Sequence, residues 1–282
     1  NISLNFVRSE TNLHLKPAFL ITSAVDPVEI NPILNLVSVW QTEDKSVLLQ
    51  AAVNLFNDAA TIEPNEAQTY SVLANCYFEL GDTKGAVNNA KMAHELIPND
   101  WRANYNLGQM LAISGEKENA ITYFKKAVEI APTEVGAIKY LAELYYQTGL
   151  IEKSIETFEI AIKQESEKKG KANLYYNLGV LHYQLDNFEE ADIAFEEAYY
   201  YNDEDFEALV GMATIYESQA DKYFNGEGEN FPKDYYKAEK LYKKAKSKYR
   251  DLSNKDPDNE EKYKKQLNLI DYKLNIAKQN QN

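Results

Sequence analysis

A single cysteine, Cys76, rules out both an internal disulfide framework and a cysteine metal cluster. It falls on an apolar helical face, where a small buried thiol is the simplest expectation. Long apolar runs are also missing. The best candidate near the start, residues 18–25, is broken by Thr22 and Ser23 and stopped by Pro27, far short of the ~20 residues that a spanning helix needs. No transmembrane segment is predicted. Positive charge is in deficit: 30 Lys and Arg face 44 Asp and Glu, for a net charge of −14. Such a chain repels phosphates, so nucleic acid is not an expected partner. The three histidines, His14, His94 and His182, lie in different elements, and none has an i, i+4 partner of metal-ligand type. There is no G-x-S-x-G, no phosphate loop and no dinucleotide fingerprint. Gly226-Glu227-Gly228 is flanked by acid and reads as a loop, and the carboxylate pairs Glu189-Glu190 and Glu196-Glu197 read as solvated helix surface. The expectation is a non-catalytic protein with no cofactor and no metal. A starting Met is lacking as well, which predicts a processed or trimmed start and leaves room for membrane attachment through a lost N-terminal anchor.

What the chain does have is periodic. Pro64, Pro98 and Pro132 recur 34 residues apart, each in a turn phrase. With proline at position 32 of a 34-residue unit, new units start at Ala67, Trp101 and Val135. Position 7 is then Leu73, Leu107 and Leu141, and position 8 is Ala74, Gly108 and Ala142. Position 20 is Ala86, Ala120 and Ser154, and position 27 is Ala93, Ala127 and Ala161. Gly81, Gly115 and Gly149 end the first helix of each unit. Small residues at 8, 20 and 27 let two antiparallel helices approach closely, with Phe124 or Phe158 at position 24 filling the space beside them. Glycine supplies the left-handed turn, and proline closes the second helix.

These residues in this register resemble the tetratricopeptide repeat family. The resemblance implies an all-α, right-handed superhelical solenoid of antiparallel helix pairs. About five to six repeats are expected, followed by a C-terminal capping helix. A fourth unit starts at Ala172, 37 residues after the third because of the polar insertion 163–171, with Leu178, Gly179, Ala191, Phe195 and Ala198 in register. Before Ala67, the residues Ala52, Phe56, Ala59 and Pro64 fit a second helix, and a degenerate first helix is expected around residues 33–40. A fifth unit from Phe206 carries the insertion 223–232 before Ala238, Tyr242 and Ala245 resume the pattern; residues 220–245 also resemble a Sel1-like repeat. The expected organisation is a non-repeat segment 1–32 and a solenoid 33–258. Its units lie near 33–66, 67–100, 101–134, 135–171, 172–205 and 206–258, and a capping helix and tail follow at 259–282. Family members from bacterial cell envelopes often end in such an enlarged pair. Together with the missing Met, this leans towards a bacterial envelope or periplasmic location, with a cytoplasmic one as the alternative.

In this family the first helix of each unit lines a concave groove, with positions 2, 5, 6, 9, 12 and 13 facing inward. The resemblance therefore implies a partner-binding groove of Asn75, Phe78, Tyr105, Asn106, Gln109, Lys139, Tyr140, Tyr146, Tyr176, Asn177 and Tyr183, with Glu143 and Gln184 at further inward positions. Tyr105-Asn106 and Tyr176-Asn177 repeat one pair in two units. Tyrosine offers an apolar face with a polar tip, and an asparagine amide can both donate to and accept from a peptide backbone. Such a surface suits a peptide or helix segment of another protein. The same tyrosines could instead serve only to pack neighbouring units. The carboxylate clamp of chaperone-binding relatives is not expected here: Asn75 and Asn106 match it, but Ser71, Gly136 and Tyr140 stand where its cations belong. The alternative role is a structural subunit of an assembly. It would make its contacts through the chain ends, the 223–232 insertion or the basic C-terminal helices, where residues 229–282 carry 14 Lys and Arg against 9 Asp and Glu.

Overall fold

The computed structural model describes residues 45–281. The segment 1–32 and the degenerate helix expected around residues 33–40 lie outside the described residues. Among those described, all regular structure is helical: α1 (Lys45–Ile62), α2 (Ala67–Glu79), α3 (Thr83–Leu96), α4 (Trp101–Ile113), α5 (Lys117–Ile130), α6 (Val135–Gln147), α7 (Ile151–Gln164), α8 (Lys168–Gln184), α9 (Phe188–Tyr201), α10 (Glu207–Asn225), α11 (Tyr235–Lys255) and α12 (Glu260–Gln279), with a 3-10 turn at Pro257–Asn259. Two compact units divide within α7, between Thr157 and Phe158.

In the first unit each helix from α1 to α6 packs on its neighbours in sequence, and local chemistry fixes the glycine turns. Gly81, Gly115 and Gly149 adopt φ of 81°, 90° and 77°. In each case the next residue's N–H reaches back to a carbonyl of the helix just ended: Asp82 to Tyr77, Glu116 to Leu111 and Leu150 to Tyr145, at 2.9, 2.9 and 2.8 Å. The following helices are capped by acids where the geometry allows. The Asp82 carboxylate accepts from the Gly85 N–H at 2.9 Å, and Asp100 accepts from Arg102 and Ala103 at 2.8 and 3.0 Å. Each such cap contributes about 1 kcal/mol. Position 4 closes the proline turns from outside: the Tyr70 hydroxyl donates to the Pro64 carbonyl at 3.1 Å, and Asn104 Nδ2 donates to the Pro98 carbonyl at 3.0 Å.

Close approach between paired helices rests on their small residues. Ala74, Ala86, Ala120, Ala127, Ala142 and Ser154 are at most 1% exposed, and Phe124 is fully buried. A Cβ built on Gly108 would come within 2.8 Å of the Phe124 ring. Ser154, the polar departure from the small-residue rule, donates its Oγ to the Ala142 carbonyl at 2.8 Å. Its hydroxyl is therefore satisfied inside the contact.

The second unit repeats this arrangement around Phe195, whose ring lies 2.9 and 2.8 Å from where Cβ atoms of Gly179 and Gly211 would sit. At its first turn Asp186 takes the left-handed conformation, φ 61°, that glycine takes elsewhere, and Lys222 Nζ donates to its carboxylate at 2.7 Å. The longer pair α10–α11 follows. Gly226, φ 76°, ends α10, and the insertion then folds back. Phe231 packs edge-on to Phe188 and Tyr223, at 5.7 and 5.3 Å, and the Asp234 N–H donates to the Tyr223 carbonyl at 2.9 Å. A tyrosine–carboxylate network then ties α10, α11 and α12 together. Tyr249 donates to Glu217 at 3.1 Å, Tyr242 donates to Asp221, and Lys273 Nζ reaches both acids at 2.9 and 2.8 Å.

Two glycine replacements test the close-approach reading. Gly136 has nothing within 4 Å of its virtual Cβ, so Gly136→Ala should gain up to roughly 1 kcal/mol from helix propensity. Gly108→Ala receives the same gain but overpacks against Phe124, a cost of roughly 1–3 kcal/mol. In paired urea melts, Gly108→Ala should therefore be the less stable of the two variants. Equal midpoints would refute tight packing at Gly108.

Candidate functional site

The first unit brings together four residues of α4 and α6 expected to face inward. Tyr105, on α4, meets Tyr140, on α6, edge-on at 5.6 Å and Phe124 edge-on at 5.4 Å, while Phe124 and Tyr140 stack at 5.7 Å. Trp101 closes the aromatic row at 6.2 Å from Tyr105. One turn along α4, Gln109 Nε2 donates to the Tyr105 hydroxyl at 3.1 Å. The two helices face each other here because positions 5 and 9 of α4 and positions 6 and 9 of α6 fall on successive turns of one stripe.

Glu143 lies beside this row. It is 6% exposed, and its Oε1 is buried without a hydrogen-bond partner. Lys139 Nζ, one turn earlier, stands 4.0 Å from it, too far for a hydrogen bond. Burial outweighs the lysine's attraction and pushes the carboxyl up to about 7. Desolvation, joined by the charge of Glu143, also raises the Tyr140 hydroxyl, and raises the Tyr105 hydroxyl well above its usual range. Both tyrosines therefore act as neutral donors and acceptors at any physiological pH. No proton chemistry follows from them.

The remaining residues of the first unit expected to line a groove are less enclosed. Asn75, Asn106, Lys139 and Tyr146 are half-buried, and Phe78 leans on the core around Leu107 and Phe124. Among the described residues the Asn75 and Asn106 amides bond to nothing else in the chain. In the second unit the repeated pair behaves differently. Asn177 is 2% exposed, so its amide lies inside the packing and cannot meet a partner as Asn106 can. Tyr176 leans on Phe195 at 5.6 Å and Tyr183 on Phe188 at 6.1 Å, while Gln184 is exposed.

Some side chains of the alternative contact surfaces are engaged within the chain. Lys243 pairs with Glu239 at 2.7 Å, Lys246 pairs with Asp271, and Lys244 lies 4.7 Å over the Tyr216 ring. In the insertion, Phe224 and Phe231 are packed, and only its tip around Gly228 is exposed.

The sequence marks Glu143 only as one inward position among many. The overlooked signal is its setting: Leu141, Ala142, Leu144 and Tyr145 surround it and are all buried. A carboxylate inside a wholly apolar stretch is dry.

Comparison with known proteins bears on the fold. The tetratricopeptide repeat model matches residues 102–134 and 172–205. Tetratricopeptide repeat protein 36 of Danio rerio is 32% identical over 112 residues, covering 38% of this chain and 60% of that one. The chain spans between 20% and 60% of the length of the first curated relatives it matches. Among solved structures, the C-terminal part of a TPR repeat-containing protein from Cytophaga hutchinsonii superposes with a TM-score of 0.58 at 17% identity, over 83% of this chain and 94% of that one. YrrB, described as a TPR protein with an unusual peptide-binding site, superposes at 0.52 with 20% identity, over 70% of this chain and 96% of its own. These similarities establish the fold.

Glu143 makes stability depend on pH. Its carboxyl ionises near 4.5 when unfolded and near 7 when folded, so between these values the folded state binds the extra proton. The stability it allows is therefore complete below about pH 4.5 and is lost as pH rises through 7, by on the order of 3 kcal/mol. In denaturant melts at pH 5 and pH 8, Glu143→Gln should remove that loss and be the more stable protein at pH 8. An unchanged pH slope would show that Glu143 is solvated.

Proposed function

This chain is a tetratricopeptide repeat protein, and from that premise we propose that it is a non-catalytic scaffold holding a peptide or helix segment of another protein against α4 and α6. Tetratricopeptide repeat proteins generally mediate protein–protein interaction, and the fold shared with YrrB is one on which a peptide-binding site has been built. Fold alone does not assign a site. The observation carrying the reading is the Tyr105–Gln109–Tyr140–Glu143 cluster, with the half-buried Asn106 next to Tyr105 on α4.

Each part suits an extended ligand. The half-buried tyrosine faces remove apolar side chains from water, and the amides pair with a backbone whose N–H and C=O groups alternate in direction. The cluster holds no nucleophile beside a base and no oxyanion donors, so its chemistry is recognition. The cited relatives match over only part of their length, so the identity of the bound protein belongs to this proposal as an open chemical class, a segment with alternating apolar and polar side chains.

Truncating Tyr105 would hollow the contact with Phe124 and confuse folding with binding. Asn106→Ala with Gln109→Ala is the sharper change, since both side chains are half-buried. On an array of overlapping peptides, this double variant should lose roughly tenfold or more in affinity at the spots that wild type binds, about 1.4 kcal/mol. The exposed Glu129→Ala should retain them. Identical spot intensities for the double variant and wild type would remove the α4–α6 face from consideration.

A further inference from the structure

The unpartnered carboxylate narrows the chemistry of the ligand. We propose that Glu143, with the hydroxyls and rings of Tyr105 and Tyr140 beside it, receives a lysine ammonium from the bound segment. This inference rests on the α4–α6 face being the binding surface and names the side chain that the face selects.

Three observations on the same few residues support it. First, Glu143 Oε1 is buried with no hydrogen-bond partner among the described residues, and the Lys139 ammonium that pairs with it stands 4.0 Å away. Buried acids are ordinarily paired, and an acid left alone in a dry site gains most from a cation brought to it. Second, the aromatic row beside it, Tyr105 on the facing α4 and Tyr140 on Glu143's own helix, is neutral and can accept. The Tyr105 hydroxyl already accepts from Gln109 Nε2, and Tyr140 lies 5.6 Å from it ring to ring. A hydroxyl oxygen and an aromatic face both favour an ammonium. From α5 the side chain in contact is the Phe124 ring, which adds no competing charge. Third, the approach is through a movable group. The Lys139 side chain is 29% exposed against 8% for Glu143. It can swing out to water without disturbing the core, and the incoming ammonium takes its place at hydrogen-bonding distance.

The acidic body adds a long-range term, since a net charge of −14 draws basic segments to the surface generally. The test must separate that attraction from the pocket. The probes are fluorescein-labelled heptapeptides alternating alanine with lysine, arginine or norleucine, measured by fluorescence anisotropy at physiological salt. The lysine peptide should bind at least tenfold more tightly than the norleucine peptide and more tightly than the arginine peptide. Glu143→Gln should lose that preference, while Glu129→Gln, which removes the same charge from an exposed site, should keep it. Equal binding of the lysine peptide by Glu143→Gln and Glu129→Gln overturns the proposal, because surface charge would then account for the affinity. Preference for arginine overturns the assignment to lysine. If the lysine peptide fails while Asn106→Ala with Gln109→Ala still loses its array spots, the binding face stands and the cation pocket falls. Thermal melts of Glu143→Gln confirm that the fold is retained.

Discussion

Everything in the described part of the chain depends on how closely two helices of a pair can approach. That distance is set where a phenylalanine ring meets a glycine or alanine on the facing helix. Phe124 against Gly108, and Phe195 against Gly179 and Gly211, leave no room for a methyl group. A buried aromatic ring contributes roughly 1.5–3 kcal/mol through the area it removes from water, and much of that is lost when its partner helix is pushed away. The same contact sets the site. Phe124 is the ring on which both Tyr105 and Tyr140 rest, so the packing that holds the helix pair together also aims the tyrosines.

The turns were the most legible part of the sequence, because their chemistry is local. Gly81, Gly115 and Gly149 could be read as left-handed residues from spacing alone, and their φ values agree. Asp186 could not, since aspartate tolerates that conformation better than most residues but adopts it far less readily than glycine. It becomes visible only through its ion pair with Lys222 from the neighbouring α10. The insertion at 223–232 illustrates the opposite failure. Its glycines suggest a loop, yet Phe231 is held between two aromatic rings, and that depends on distant residues.

The site was legible as a stripe but not as a constellation. Register places Asn106 and Asn177 at the same position, yet one is half-buried and the other is 2% exposed. Repeat position determines the direction of a side chain, and its neighbours determine whether water reaches it. Glu143 shows the same limit. Periodicity gives it a position, but only the packing around it reveals a carboxylate oxygen with no hydrogen-bond partner and an ionisation displaced to about 7.

The network on Glu217 and Asp221 has a consequence for how the chain comes apart. Helices that meet mainly their neighbours unfold in segments, and the ends fray first unless something fastens them. Lys273 on α12 bonds both acids of α10, and Tyr242 and Tyr249 bond them from α11. Fraying of α12 must therefore break two charge-assisted bonds together and leave two acids without their cation. α12 is thus latched to α10, and slow amide exchange should extend further along it than contact with a single neighbouring helix would allow.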